Sequence, residues 1–143
     1  MITVSKATLS DLIFFVKHIR PMDAEEVEKT TGKSISQHFS DMVGLPNVNA
    51  IRASNGDLLG IGGWLGGEEL RGWMLLTTAV ENHKIEFLRW SKKFVNDLLK
   101  DHTMIYNQVY RKNKLHIDYL TYLGAAFYII DNDYYYFEIK RRR

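Results

Sequence analysis

Asn82, His83 and Lys84 stand side by side where a helical pattern begins, and each side chain can donate a hydrogen bond. A helix start exposes unpaired backbone N–H groups and carries positive potential. An amide, an imidazole and an ammonium added there could hold an anion such as a phosphate. His83 could also act as a base. The competing role is a cap or ion pair at the helix start. A second polar group is Arg20, Asp23 and Glu26. It could line a cleft, or serve as a cap plus an Arg–carboxylate pair that fixes the turn between two helices. His116 and Asp118 are two residues apart on one helical pattern, so they lie on different faces and do not form a metal pair. No His/Asp/Glu spacing resembles a metal-ligand pattern, and no metal is expected.

Composition narrows the classes. The chain has 143 residues, 45% of them hydrophobic and 13% aromatic, enough for a packed core in one domain spanning 1–143. Its net charge of +2 carries no global nucleic-acid signature. The basic run KRRR at 140–143 reads as a solvated tail. There is no cysteine, which excludes disulfides, thiol nucleophiles and thiolate metal sites. No apolar run reaches the roughly 18 residues a membrane span needs. The first ten residues lack a signal-peptide core.

These groups must be positioned by a definite series of elements. ITVSKA alternates and reads as a strand. TLSDLIFFVKHIR is helical, with Ser10 as its cap and Pro21 as its stop. DAEEVEKTTG opens a further helix on Asp23 and Glu26 and ends at Gly32, and 34–44 repeats the pattern. NVNAIRA and LLGIGGWL flank Asn55-Gly56, a two-residue hairpin signal. GGEE turns the chain into LRGWMLLTTAV. A long helix over about 82–100 is broadly apolar, which implies burial on more than one side. The strand TMIYNQVY, a helix ending at Gly124, and the hairpin AAFYII/YYYFEIK around DND complete the chain. Alternation sends Tyr134 and Tyr136 to one face of the last strand and Tyr135 and Phe137 to the other. The order is β-α-α-β-β-β-α-β-α-β-β, a mixed sheet with helices on both faces.

Residues 113–127, NKLHIDYLTYLGAAF, open on an Asn, continue as an amphipathic helix and close on Leu-Gly before a strand. This segment, and the element order of the whole chain, resemble the GCN5-related N-acetyltransferases (GNAT). The resemblance implies a GNAT-like α/β fold. IRPMDAEEVEKTTG, GWMLLTT, HKIEFLRWSKKFV and YNQVYRKNKLHIDYLTYLGAAF carry a closer likeness. In these the chain is similar to the podoviral internal virion protein A family of T-seven-like phages. That likeness implies a phage protein made in the host cytoplasm, with a virion or host protein as partner and packaging into the virion as a further expectation.

The GNAT resemblance also implies acetyl-CoA as a cofactor and points to two chemical devices. One is a glycine-containing pyrophosphate loop before the long helix. Here that stretch is TTAVENHKIEFLRW, which has no glycine and carries Glu81 and Glu86. Asn82, His83 and Lys84, with Asn113, are the residues the resemblance would place at the cofactor. The other device is a Tyr seven residues after the helix-opening Asn, which protonates the departing thiolate. Counting from Asn113 gives Leu120, with Tyr119 and Tyr122 nearby. One position rotates a side chain by about 100° around a helix. His116 replaces the small residue usual early in that helix. The resemblance makes Arg20, Asp23, Glu26 and His116 an acceptor or partner cleft. The expected function is an internal virion or assembly-associated protein acting through protein contacts. The alternatives are an acetyl-CoA-dependent N-acyltransferase with a divergent pyrophosphate loop, and a host-directed regulatory binding protein.

Overall fold

The computed structural model describes residues 1–141. In chain order the elements are β1 (Thr3–Lys6), α1 (Leu9–His18), α2 (Pro21–Thr31), α3 (Ile35–Gly44), β2 (Asn49–Arg52), β3 (Leu58–Gly66), β4 (Glu69–Leu76) and a 3-10 turn (Thr78–Asn82). They continue as α4 (Lys84–Asp101), β5 (Met104–Tyr110), α5 (Lys114–Tyr122), β6 (Ala126–Ile129) and β7 (Tyr134–Lys140). The seven strands form one mixed sheet in the order β1-β2-β3-β4-β5-β7-β6. The helical pattern read over 34–44 is α3, so three helices stand before β2 where the β-α-α-β order expected from sequence counts two. The chain packs as two compact units, one of Met1–Gly63 with Met74–Phe87, the other of Trp64–Trp73 with the chain from Leu88 onward.

In the first unit, β1 and β2 pair antiparallel, as do β2 and β3. Six consecutive residues of β3, from Leu58, are buried, the pattern of a strand covered on both faces. At Gly60 a Cβ would come 2.5 Å from the Leu75 carbonyl oxygen and 2.7 Å from a Leu76 methyl carbon. Any side chain at this point would force the adjoining β4 backbone to shift. The β2–β3 connection is longer than the two-residue hairpin expected: Ala53 N–H donates to Asp57 O at 2.9 Å, and Gly56 takes a φ of +93°. The preference of Asn-Gly for positive φ is used inside a wider loop.

Two helix starts differ from expectation. The cap of α1 is Thr8, not Ser10. Its Oγ1 accepts the Asp11 N–H at 3.1 Å, and Asp11 Oδ2 accepts the Thr8 N–H at 2.9 Å, a complete capping box. Pro21 starts α2 rather than stopping α1, because its missing N–H and fixed φ suit the first helical position. Arg20 is the cap residue there and makes no side-chain capping bond. Asp23 is directed elsewhere, onto the end of β4. In α3, Ser34 and Gln37 form a capping box at the start of the helix pattern read over 34–44.

In the second unit, β4 and β5 run parallel, with Glu69 opposite Met104 and Arg71 opposite Tyr106. A parallel pair needs a crossover, and α4 supplies it. β7 pairs antiparallel with both β5 and β6. The core gathers Val95 and Leu99 of α4, Leu120 and Leu123 from the α5 end, and Ile105, Val109, Phe137 and Ile139 of the sheet. Each such side chain contributes roughly 1.5–3 kcal/mol of transfer free energy. Phe87, Ser91, Val95 and Leu99 follow one another at intervals of four, so α4 buries one stripe. Ile85 is exposed, which narrows the burial expected from composition. Trp64 meets Phe94 edge-on and Trp90 stacks on it, both at 4.9 Å.

Candidate functional site

The start of α4 belongs to the first unit. Residues 81–86 line a shallow concavity there of about 340 Å³. His83 Nε2 lies 2.9 Å from Asp57 Oδ2, across from the β2–β3 loop. Its hydrogen bond is the main reason the Asp57 carboxyl is held below its ordinary range, with Asn55 assisting. Lys84 Nζ pairs with Glu81 at 2.8 Å. Of the donors expected to face a pyrophosphate, His83 is thus engaged by a carboxylate, whereas the Lys84–Glu81 pair is exposed and weak. Glu86 adds a further negative charge to the lining. The backbone departs from a simple helix start as well. A 3-10 turn at Thr78–Asn82 precedes α4, and His83 N–H donates to Val80 O at 3.0 Å. Asn82 closes that turn and lines the same concavity. Two carboxylates beside one ammonium, and no glycine for close approach, fit a pyrophosphate poorly.

Thr77, just before this turn, is fully buried. Its Oγ1 donates to Leu58 O at 2.6 Å, and its N–H donates to Leu59 O at 2.8 Å. Arg20, Asp23 and Glu26 also lie in the first unit. Arg20 Nη2 reaches Asp23 Oδ1 at 3.2 Å, and Asp23 Oδ2 accepts the Leu76 N–H at 2.8 Å. Arg20 N–H in turn donates to Leu76 O at 2.9 Å. With Asp23 only 1% exposed, this arrangement clamps the start of α2 onto the end of β4. Glu26 is half-buried one turn further along α2.

In the second unit, α5 begins with Asn113, which is fully buried and whose Oδ1 accepts the His116 N–H at 3.3 Å. That is an N-cap role. Leu120 enters the core at 4% exposure. Tyr119 packs half-buried against the same core, its ring centroid 6.4 Å from that of His116. Tyr122 is exposed, with the Lys92 ammonium 4.8 Å from its ring centroid. The position that would hold a proton-donating Tyr thus carries an inward-facing hydrocarbon.

Asn107 is a polar group to which sequence assigns no part. The β4–β5 ladder is registered from Glu69 to Arg71, and just beyond it the Asn107 Nδ2 donates to Gly72 O at 3.0 Å. A side-chain amide takes over there from the backbone. An Asn in a strand signals such a bond weakly, because nothing local specifies its partner. Asp57 is hidden as the partner of His83 for the same reason. Among the described residues no group of three or more His, Cys, Asp or Glu could hold a metal ion, and no helix is long and apolar enough to cross a membrane.

Known structures share this architecture. A GNAT-family acetyltransferase from Bacillus anthracis superposes with a TM-score of 0.72 at 11% identity, covering 97% of this chain and 94% of that one. The spermidine N-acetyltransferase of Vibrio cholerae, solved with CoA and spermine, gives 0.64 at 11% identity over 98% of this chain and 95% of the other. At these identities the likeness establishes the fold, which is that of the GNAT acetyltransferases. No curated protein sequence gives a significant match. Residues 49–132, more than half of the chain, match the family described as "Bacteriophage T7, probable scaffold protein Gp13", and the chain belongs to that family.

Proposed function

We propose that this chain serves phage particle assembly through protein contacts, on a GNAT fold whose chemical devices are altered. The observation that carries this reading is Leu120. The residue seven places after the α5 cap is buried in the core at 4% exposure and has no proton to give. The engagement of His83 by Asp57 supports the same conclusion. Membership of a family described as a probable scaffold protein supports a role carried by protein contacts. In this reading the chain is made in the host cytoplasm and joins the particle or its precursor as an internal virion protein A. A host-directed regulator would share the fold but be absent from particles.

A second reading is favoured by the near-complete overlap with a spermidine N-acetyltransferase solved with CoA. In it Asn82, His83, Lys84 and Asn113 meet acetyl-CoA, and Arg20, Asp23, Glu26 and His116 admit an amine. Tyr119 or Tyr122 then supplies the proton. Calorimetric titration with acetyl-CoA and desulfo-CoA separates the two. The assembly reading expects no heat up to about millimolar ligand, where binding free energy is only about −4 kcal/mol. Micromolar binding that is lost in a His83→Ala, Lys84→Ala double variant overturns it.

A further inference from the structure

We propose that β6 pairs antiparallel with β6 of a second copy of this chain, about a two-fold axis at Tyr128. The inference goes beyond the assembly reading and does not depend on it. β6 ends the sheet order, and among the described residues no strand pairs with its outer edge. The ladder decides which backbone groups that edge offers. A strand residue turns its N–H and C=O to one side, and successive residues alternate. Arg111 N–H donates to Asp133 O at 2.8 Å and Arg141 N–H to Thr103 O at 3.0 Å, both in line with the β5–β7 register. Odd-numbered residues of β7 therefore bond to β5, and even-numbered ones to β6. Ala126 and Tyr128 stand opposite Glu138 and Tyr136, and Ile130 N–H continues that ladder to Tyr134 O at 3.2 Å. Phe127 and Ile129 are left with N–H and C=O groups that point away from the sheet.

Such an edge is a template for another strand, and charge, proline or a bulge commonly blunts it. Residues 125–130, AAFYII, have no charge and no proline, and the β6–β7 register is unbroken. Ile129 is 74% exposed, and Tyr128 and Ile130 are exposed beside it. β1, at the other end of the sheet order, carries Lys6.

The edge is complementary to itself. With the axis at Tyr128, Phe127 stands opposite Ile129 of the second copy, and Ile129 opposite its Phe127. Every N–H···O bond in that seam comes from a group with no bond inside the sheet. Moving the axis by one residue calls on Ala125 or Asp131. Ala125 N–H already donates to Leu120 O at 3.0 Å, and Asp131 N–H to Tyr134 O at 3.4 Å. The two Tyr128 side chains meet in a non-hydrogen-bonded pair, where cross-strand neighbours come closest. Tyr106, Tyr136 and Tyr128 form a row across β5, β7 and β6, with ring centroids 6.4 and 5.9 Å apart. The axis doubles that row. Glu138 accepts from the Tyr128 and Tyr136 hydroxyls and is matched by Lys140 at 3.3 Å, so no unbalanced charge faces its own copy. The basic run at the chain's end is thus not simply a solvated tail. Arg141 is docked on α4, its Nε donating to Leu99 O at 2.6 Å and its Nη2 to Lys100 O at 3.2 Å; Arg142 and Arg143 lie outside the described residues. The pairing is isologous and closes at two copies. A short strand seam buries little area, so the dimer is weak and reversible.

The test is sedimentation velocity of the full chain over a concentration series, which should show a monomer–dimer equilibrium. Ile129→Lys, with an unchanged melting curve, should raise the dimer Kd by about tenfold or more, because two ammonium groups enter the seam without partners. Disulfide trapping tests the register, since the chain has no cysteine of its own. A non-hydrogen-bonded antiparallel pair brings Cα atoms to about 4.5 Å, within disulfide reach. Tyr128→Cys should give a covalent dimer on mild oxidation. Ile130→Cys, which faces Ala126 of the second copy, should not. The proposal is overturned by a monomer at every concentration up to about 1 mM, by undiminished association of Ile129→Lys, by no cross-link in Tyr128→Cys, or by equal cross-linking of the two cysteine variants. A monomer would leave this edge to a strand of a different protein.

Discussion

The Nε2 atom of His83 and the Oδ2 atom of Asp57 lie 2.9 Å apart, and they join the start of α4 to the β2–β3 loop. A residue for which sequence offers either a phosphate contact or a cap or ion pair at the helix start thereby becomes a tether between two backbone segments. Asp57→Ala should lower the melting temperature, and the effect should be smaller in a His83→Ala background. A double-mutant thermal cycle measures this coupling directly. Additive effects would show that the two side chains act independently.

Asp23 accepts the Leu76 N–H and pairs with Arg20 while almost fully buried. Asp23→Ala leaves a guanidinium and a backbone donor uncompensated. It should cost roughly 3–5 kcal/mol in urea unfolding. A loss below about 1 kcal/mol, the scale of an exposed pair, would contradict the clamp.

Gly60 has the Leu75 carbonyl and Leu76 where a Cβ would go. Gly60→Ala should destabilise by about 1–3 kcal/mol through forced backbone shifts. Gly67→Ala is the matched control, since a Cβ there would meet nothing within 4 Å and its φ is not positive. Urea midpoints for the two variants should therefore diverge.

Asp11 contributes to the acid limb of stability. Burial raises its pKa, but the Thr8 N–H and the Arg52 guanidinium outweigh that and hold the carboxyl below its ordinary range. A lowered folded-state pKa stabilises above the unfolded value of about 3.9, and the contribution fades as pH falls through the folded value. Asp11→Asn should reduce stability at pH 7 and flatten its decline below about pH 4. Unchanged steepness in a pH series of melts would assign the acid limb to other carboxylates.

Much of the fold is legible in the sequence because local pattern and tertiary packing agree. Ser34 caps α3 where the helix pattern read over 34–44 begins. Alternation places Tyr136 beside Tyr128 and Phe137 in the core, as a pleated strand requires. The α1 cap is harder to place because Thr8 and Ser10 are chemically alike at this level, and Asp11 decides between them. The candidate site is less legible. Asp23 reads as a local helix-start residue, yet its partner is 53 positions away at Leu76. Asp57 and Asn107 gain their partners from chain segments that no spacing rule joins. The Arg141 cap on α4 likewise depends on where β7 ends.

The central claim is that the chain acts in particle assembly by contact. Quantitative mass spectrometry of purified procapsids and mature particles from infected cells tests it most directly. The account predicts the chain at a defined stoichiometry in at least one assembly stage, undiminished in a His83→Ala, Lys84→Ala variant that folds normally. Absence from every stage, together with acetyl transfer to an amine by the pure protein, would contradict it.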